Sequence, residues 1–274
     1  MKENFERPVD TEKIAKAHEV IIGPESPTLT DFHEFLGKVF NPNEIEPLDV
    51  FQRELRNEKP GVRYILTALR DPDNADRLVS AAYGSVQDGV LAVRFTLTEA
   101  GEARSYRGTG LSQIADQALI KEAEAYSLQE GTELKALIGE AVDLSEGYWN
   151  RQEIEPGNGM KRMYLPRGEE MHYELPPLSW NPDGTPASDG IPEHLQLALK
   201  GSTENVSVAE LSDILRSWWG EWYIRPREQF DSGDAWQKHQ DTVWKVLDDK
   251  ILSPLSEVDK LTFKTKAERE LEQK

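Results

Sequence analysis

The chain has 274 residues, of which 38% are apolar and 30% charged, and its formal net charge is −18. It contains no cysteine, which excludes disulfides, thiolate metal sites and a cysteine nucleophile. A field this acidic repels nucleic acid and anionic membranes and attracts cations, amines included. No apolar run approaches the length that crosses a bilayer, and residues 1–13 lack the apolar core of a secretory signal. A cytoplasmic protein with no nucleic-acid or membrane partner is expected.

Residues 1–27 are polar and punctuated by Pro8, Gly23, Pro24 and Pro27, with a short strand predicted at 18–22. Thr28-x-x-Asp31 resembles a capping box and opens a helix over 28–40, with Phe32, Phe35, Leu36 and Val39 on one face. Asn41-Pro42 stops it. A second helix is predicted at 47–56, on Leu48, Phe51 and Leu55. Three strands follow at 62–69, 78–86 and 90–98, joined by the turns Asp71-Pro72-Asp73-Asn74 and Gln87-Asp88-Gly89. The middle strand carries Gly84. The polar run TEAGEAR then leads to Arg107-Gly108-Thr109-Gly110.

That turn runs straight into an amphipathic helix over 111–126, whose apolar side is Leu111, Ile114, Ala115, Ala118, Leu119, Ala123 and Tyr126. Glycines let successive N–H groups face one point, and a helix start leaves its own donors unpaired at the positive end of the dipole. Such a junction suits phosphate or pyrophosphate; the same pattern also serves as a plain helix cap. A strand at 134–142, a short helix at 144–151 and strands at 161–166 and 172–175 complete this part. Beyond Pro176-Pro177 comes a Pro-, Gly- and Asp-rich linker. Ser207-x-x-Glu210 then opens a helix through about 218, and a longer one covers 234–252 with Trp236, Val243, Trp244, Leu247 and Ile251 on one face. Residues 223–226 read as a strand or an edge. The tryptophans of 218–244 suit a small helical core, or else an interface.

Arg107-Gly108-Thr109-Gly110-Leu111-Ser112 resembles the phosphate loop of the GNAT acetyltransferase superfamily, Arg/Gln-x-x-Gly-x-Gly/Ala, with Ser112 in the last small position. The order of elements over 28–178 is similar to that family's. The resemblance implies an α/β (α+β) fold: a mostly antiparallel mixed sheet, a central parallel strand pair formed by 90–98 and 134–142, and flanking helices. The domains are then an N-terminal segment (1–27), an acyl-CoA-binding domain (28–178), a linker (179–192) and a helical Trp-rich extension (193–274).

It further implies acetyl-CoA as co-substrate, bound by Arg107, Gly108, Thr109, Gly110, Leu111 and Ser112, and transfer of an acetyl group to an amine on a small molecule or peptide. The family often supplies a tyrosine acid from the helix after the second parallel strand. In strict register that position is Trp149, with Tyr148 beside it. Tyr148 is the candidate acid, and Glu140 the candidate base, with Asp143 and Glu146 as alternatives. The five histidines are dispersed, and no metal is expected. A non-catalytic CoA-binding or pseudo-enzyme module whose Trp-rich extension binds a partner is the rival expectation; separately, the extension is expected to cover the acceptor side of the cleft or to build a homodimer contact.

Overall fold

A computed structural model describes residues 9–21, 23–40, 45–74, 76–99, 106–134, 136–142, 161–164, 172–177, 179–187, 191–201, 207–256, 262–264 and 271. It divides into two compact units, Met1–Leu134 and Lys135–Lys274. Both mix helices and strands, as expected of an α/β (α+β) chain. The two strands expected to pair in parallel fall in different units.

The first unit holds α1 (Thr11–Lys16), β1 (His18–Ile21), α2 (Pro27–Val39), α3 (Leu48–Leu55), β2 (Val62–Asp71), β3 (Arg77–Gln87), β4 (Val90–Thr98) and α4 (Leu111–Gln129). The strands pair antiparallel in chain order. β2 and β3 are buried almost throughout, so both sheet faces are covered. Alternation shows which helices cover which face. Leu66 and Ala68 join the core with Phe32, Phe35 and Leu36 of α2 and Phe51 and Leu55 of α3. Thr67, between them, donates to the Ala115 carbonyl of α4 at 3.0 Å. The two helical layers therefore lie on opposite faces.

Local chemistry explains the joints. Asp88-Gly89 turns β3 into β4 with positive φ at both residues, 50° and 76°. Tyr83 pairs with Phe95 but Gly84 pairs with Val93, so Arg94 is the extra residue of a bulge. A Cβ at Gly84 would stand 2.4 Å from the Ala92 carbonyl oxygen, which requires glycine there. Helix α1 was not predicted; its one buried apolar residue, Ile14, leaves no periodicity to read. Helix α2 starts one residue early. Ser26 is its N-cap and Pro27 its first residue, while the Thr28 hydroxyl turns away to Glu19 and Arg70.

In the second unit, β5 (Ala136–Val142) pairs antiparallel with β8 (Ile191–Gly201) along seven residues. β6 (Lys161–Tyr164) and β7 (His172–Leu175) also pair with β8, and β9 (Thr262–Lys264) with β6. This corrects the expected boundary: 191–201 is a sheet strand, not the end of a linker and the start of a helical segment. The strand expected at 161–166 is described for 161–164, and the helix expected at 144–151 lies outside the described residues.

Helices α5 (Val208–Tyr223), α6 (Gly233–Leu247) and α7 (Ser253–Ser256) follow, α6 and α7 joined by a π turn over Asp248–Leu252. Trp218, Trp219 and Trp222 are buried with Leu211, Leu215, Val243, Leu247 and Ile251, which is the core reading of the tryptophans. Residues 224–226 are neither strand nor helix; α5 runs on through Tyr223, and Arg225 spends its main chain on α6. Its N–H donates to Nε2 of His239 at 2.8 Å, and its carbonyl accepts from Trp236 at 3.0 Å. The loop 179–187 is docked rather than free. The Asp231 N–H donates to the Pro182 carbonyl, and a Cβ at Gly184 would stand 2.0 Å from the Ala235 oxygen.

Candidate functional site: the loop–helix junction before α4

The chain leaves β4 at Glu99 and returns to the same point at Tyr106. The Glu99 N–H donates to the Val79 carbonyl at 2.9 Å, and the Glu99 carbonyl accepts from the Tyr106 N–H at 3.3 Å. The polar run between them therefore does not displace the glycine turn from the end of β4. Tyr106 is buried, and its hydroxyl donates to Asp71 at 2.8 Å and accepts from Asn74 at 3.0 Å. The Thr109 hydroxyl donates to the Tyr106 carbonyl at 2.5 Å.

Gly108 and Gly110 both take left-handed conformations, with φ of 76° and 80°. A Cβ on either would meet nothing within 4 Å, so their outer faces are open. Gly110 is the N-cap of α4, its carbonyl accepting from the Ile114 N–H at 3.1 Å. The N–H groups of Leu111, Ser112 and Gln113 thus precede the first intrahelical bond. No side chain caps them, and the first turn contains no acidic residue. By contrast α1, α2 and α6 are capped by Asp10, Ser26 and Ser232, and α3 has Asp49 in its first turn. In a chain of charge −18, an uncapped, acid-free helix start with exposed Arg107 beside it is a local positive site. Of the predicted ligands, Thr109 has committed its hydroxyl to Tyr106, so its contribution to an anion is its backbone.

α4 is held in place by polar as well as apolar contacts. Leu111, Ala115, Leu119 and Ala123 are buried as predicted, but Ile114 and Tyr126 are only half-buried. Asp116 takes a buried place because Thr96 of β4 donates to it at 2.7 Å. At the other end, Gly131 adopts φ 77° and the Thr132 N–H returns to the Ser127 carbonyl, a glycine C-cap that ends the helix where the sequence broke.

A second polar constellation was missed by sequence reasoning. At the β4 bulge, Arg94 is buried between Glu46 and Glu54, ion-paired with both, and the Tyr83 hydroxyl donates to Glu54 at 2.6 Å. The guanidinium lies 5.9 Å from the Phe51 and Phe95 ring centres. Burial, and then the Glu54 carboxylate, push the Tyr83 phenol well above its ordinary pKa, so it is a poor proton donor at neutral pH. Gly84 within a strand pattern is the one sequence sign of this bulge.

The remaining predicted residues belong to the second unit. Glu140 lies in β5 opposite Leu197, and its side chain lies outside the described residues. Tyr148, Asp143 and Glu146 also lie outside them. Among the described residues no group of three or more acidic or histidine side chains is placed to hold a metal. No described helix is long and apolar enough to cross a membrane.

No protein-family model and no curated protein matches the chain. Many of the solved structures similar to it are acetyltransferases, several described as of the GNAT family. One, described as a GNAT-family acetyltransferase from Bacteroides thetaiotaomicron, is 14% identical at a TM-score of 0.48, covering 74% of this chain and 95% of that one. The ribosomal-protein-S18-alanine N-acetyltransferase from Escherichia coli is 13% identical at 0.40, covering 69% and 98%. A GNAT acetyltransferase from Streptococcus pneumoniae is 12% identical at 0.41, covering 67% and 98%.

Proposed function

We propose that the chain is an acetyl-CoA-dependent N-acyltransferase whose loop 107–112 holds the CoA pyrophosphate. The observation that carries this is the start of α4: two left-handed glycines with open faces, no side-chain cap and no acidic residue in the first turn. A diphosphate accepts from several backbone donors at once and sits at the positive end of the helix dipole.

In the reaction, a neutral amine nitrogen attacks the thioester carbonyl carbon. The C–N bond forms, the C–S bond breaks, the nitrogen loses a proton and the thiolate gains one. Glu140 as proton acceptor and Tyr148 as donor are carried forward from the sequence. Holding the two substrates together supplies much of the rate without either. Trp149 in the register position of the family's tyrosine favours the second reading, a non-catalytic CoA-binding module.

CoA and acetyl-CoA should both raise the melting temperature, because a ligand bound only by the folded state stabilises it. Gly110→Asp should abolish the shift, placing a side chain and a negative charge on the open face. No shift for the unaltered chain at millimolar CoA would rule out both readings. Release of free CoA with a panel of polyamines, aminoglycosides and peptide N-termini separates enzyme from binding module.

A further inference from the structure

The loop that precedes α4 is tied to the body of its unit at Tyr106. Glycines at 108 and 110 make it intrinsically mobile in the unfolded chain, so its folded shape has to be imposed. Tyr106 supplies the ties. Its N–H is fixed to Glu99, its carbonyl accepts from Thr109 inside the loop, and its buried hydroxyl bridges Asp71 and Asn74 in the β2–β3 turn. Asp71 is itself buried and is held in an Asx turn by the Asp73 N–H at 2.9 Å. One side chain thus joins the β2–β3 turn to the start of the loop.

We infer that Tyr106 is a positioning residue: its hydroxyl bond to Asp71 sets the conformation in which loop 107–110 and the start of α4 receive the CoA pyrophosphate. This rests on the phosphate-loop reading proposed above. Tyr106 touches no ligand itself; it acts by raising the share of molecules whose loop is already shaped to bind. Apparent affinity falls in proportion when that share falls. A hydrogen bond to a buried carboxylate is among the stronger neutral–charged pairs, enough to shift a loop equilibrium about tenfold.

The test uses the full chain, with CoA as probe in titration calorimetry and hydrogen exchange without ligand. Tyr106→Phe should weaken CoA binding about tenfold. It should also speed exchange of the amides of residue 106 and Ile114, which close the loop, while β2–β3 amides stay protected. Asp71 accepts from both Tyr106 and the Asp73 N–H, so Asp71→Asn, which keeps one acceptor oxygen and loses the charge, should fall between the unaltered chain and Tyr106→Phe. Asn74→Ala should show a smaller loss than Tyr106→Phe, and it carries the test should Tyr106→Phe fail to fold. If the unaltered chain binds CoA and Tyr106→Phe binds it equally, with unchanged exchange, the inference is overturned. If the unaltered chain binds no CoA, the functional reading falls instead, and exchange at 106 and 114 alone decides whether Tyr106 shapes the loop.

Discussion

His239 shows how one residue can be read two ways until its neighbours are known. It is fully buried on α6, its ring 4.2 Å from that of Trp180 and stacked 4.9 Å from that of Phe230. Nε2 accepts the Arg225 N–H, which leaves the ring proton on Nδ1. Burial, and then the Arg225 charge, lower its pKa from 6.5 to about 4. The unfolded chain therefore binds a proton first as pH falls. The stability this contributes is complete above pH 6.5 and is lost as pH drops from 6.5 through about 4. The melting temperature should fall across that window, and His239→Gln should flatten the decline; an unchanged slope would show that His239 is not its source. The sequence shows His239 only as one of five dispersed histidines; its burial and its partners come from the fold. Capping was legible only in part: the Thr28 signal pointed to a real helix, yet Arg70, 42 positions away, claims the Thr28 hydroxyl and leaves the cap to Ser26.

Among elements, the contact of α3 with β4 depends on charge buried beside aromatic rings. Arg94 is 6% exposed in its side chain, and its partners Glu46 and Glu54 are 1% and 9% exposed. Removing one member of such a network strands the others in low dielectric. Arg94→Met should cost about 3–5 kcal/mol in urea unfolding, whereas Arg94→Met with Glu46→Gln and Glu54→Gln should recover much of it. A loss below about 1 kcal/mol in the single variant would mean that apolar packing alone holds α3. Helices α2, α3, α4 and α6 were legible because their apolar period is local. Strand β8 was not. Leu195, Leu197 and Leu199 alternate at the strand period, but leucine, glutamine, alanine and lysine favour helix. Its pairing with β5, some 60 positions back, decided the matter.

For the whole molecule, a charge of −18 sets a repulsion that compact folding concentrates. Raising sodium chloride from about 10 to 150 mM shortens the screening length and should raise the melting temperature. A gain of about 1 kcal/mol corresponds to roughly 2–4 °C for a chain of this size. A fall would show that attractive pairs such as Arg70–Asp31 and Arg216–Asp248 outweigh the net field. The seven tryptophans all fall within Lys135–Lys274, so tryptophan emission reports on the second unit, whereas the loop–helix junction lies in the first.

By itself the sequence determined the junction before α4, because two glycines, a helix start and a 3.6-residue apolar period are features of neighbouring residues. It determined helices α2, α3 and α4 and the first three long strands for the same reason. Only the tertiary structure decided that Tyr106 meets Asp71, 35 positions earlier, that Arg94 sits between two buried carboxylates, and that 191–201 is a strand. Those outcomes depend on which surfaces are removed from water together, and burial is a property of contacts far apart in the chain.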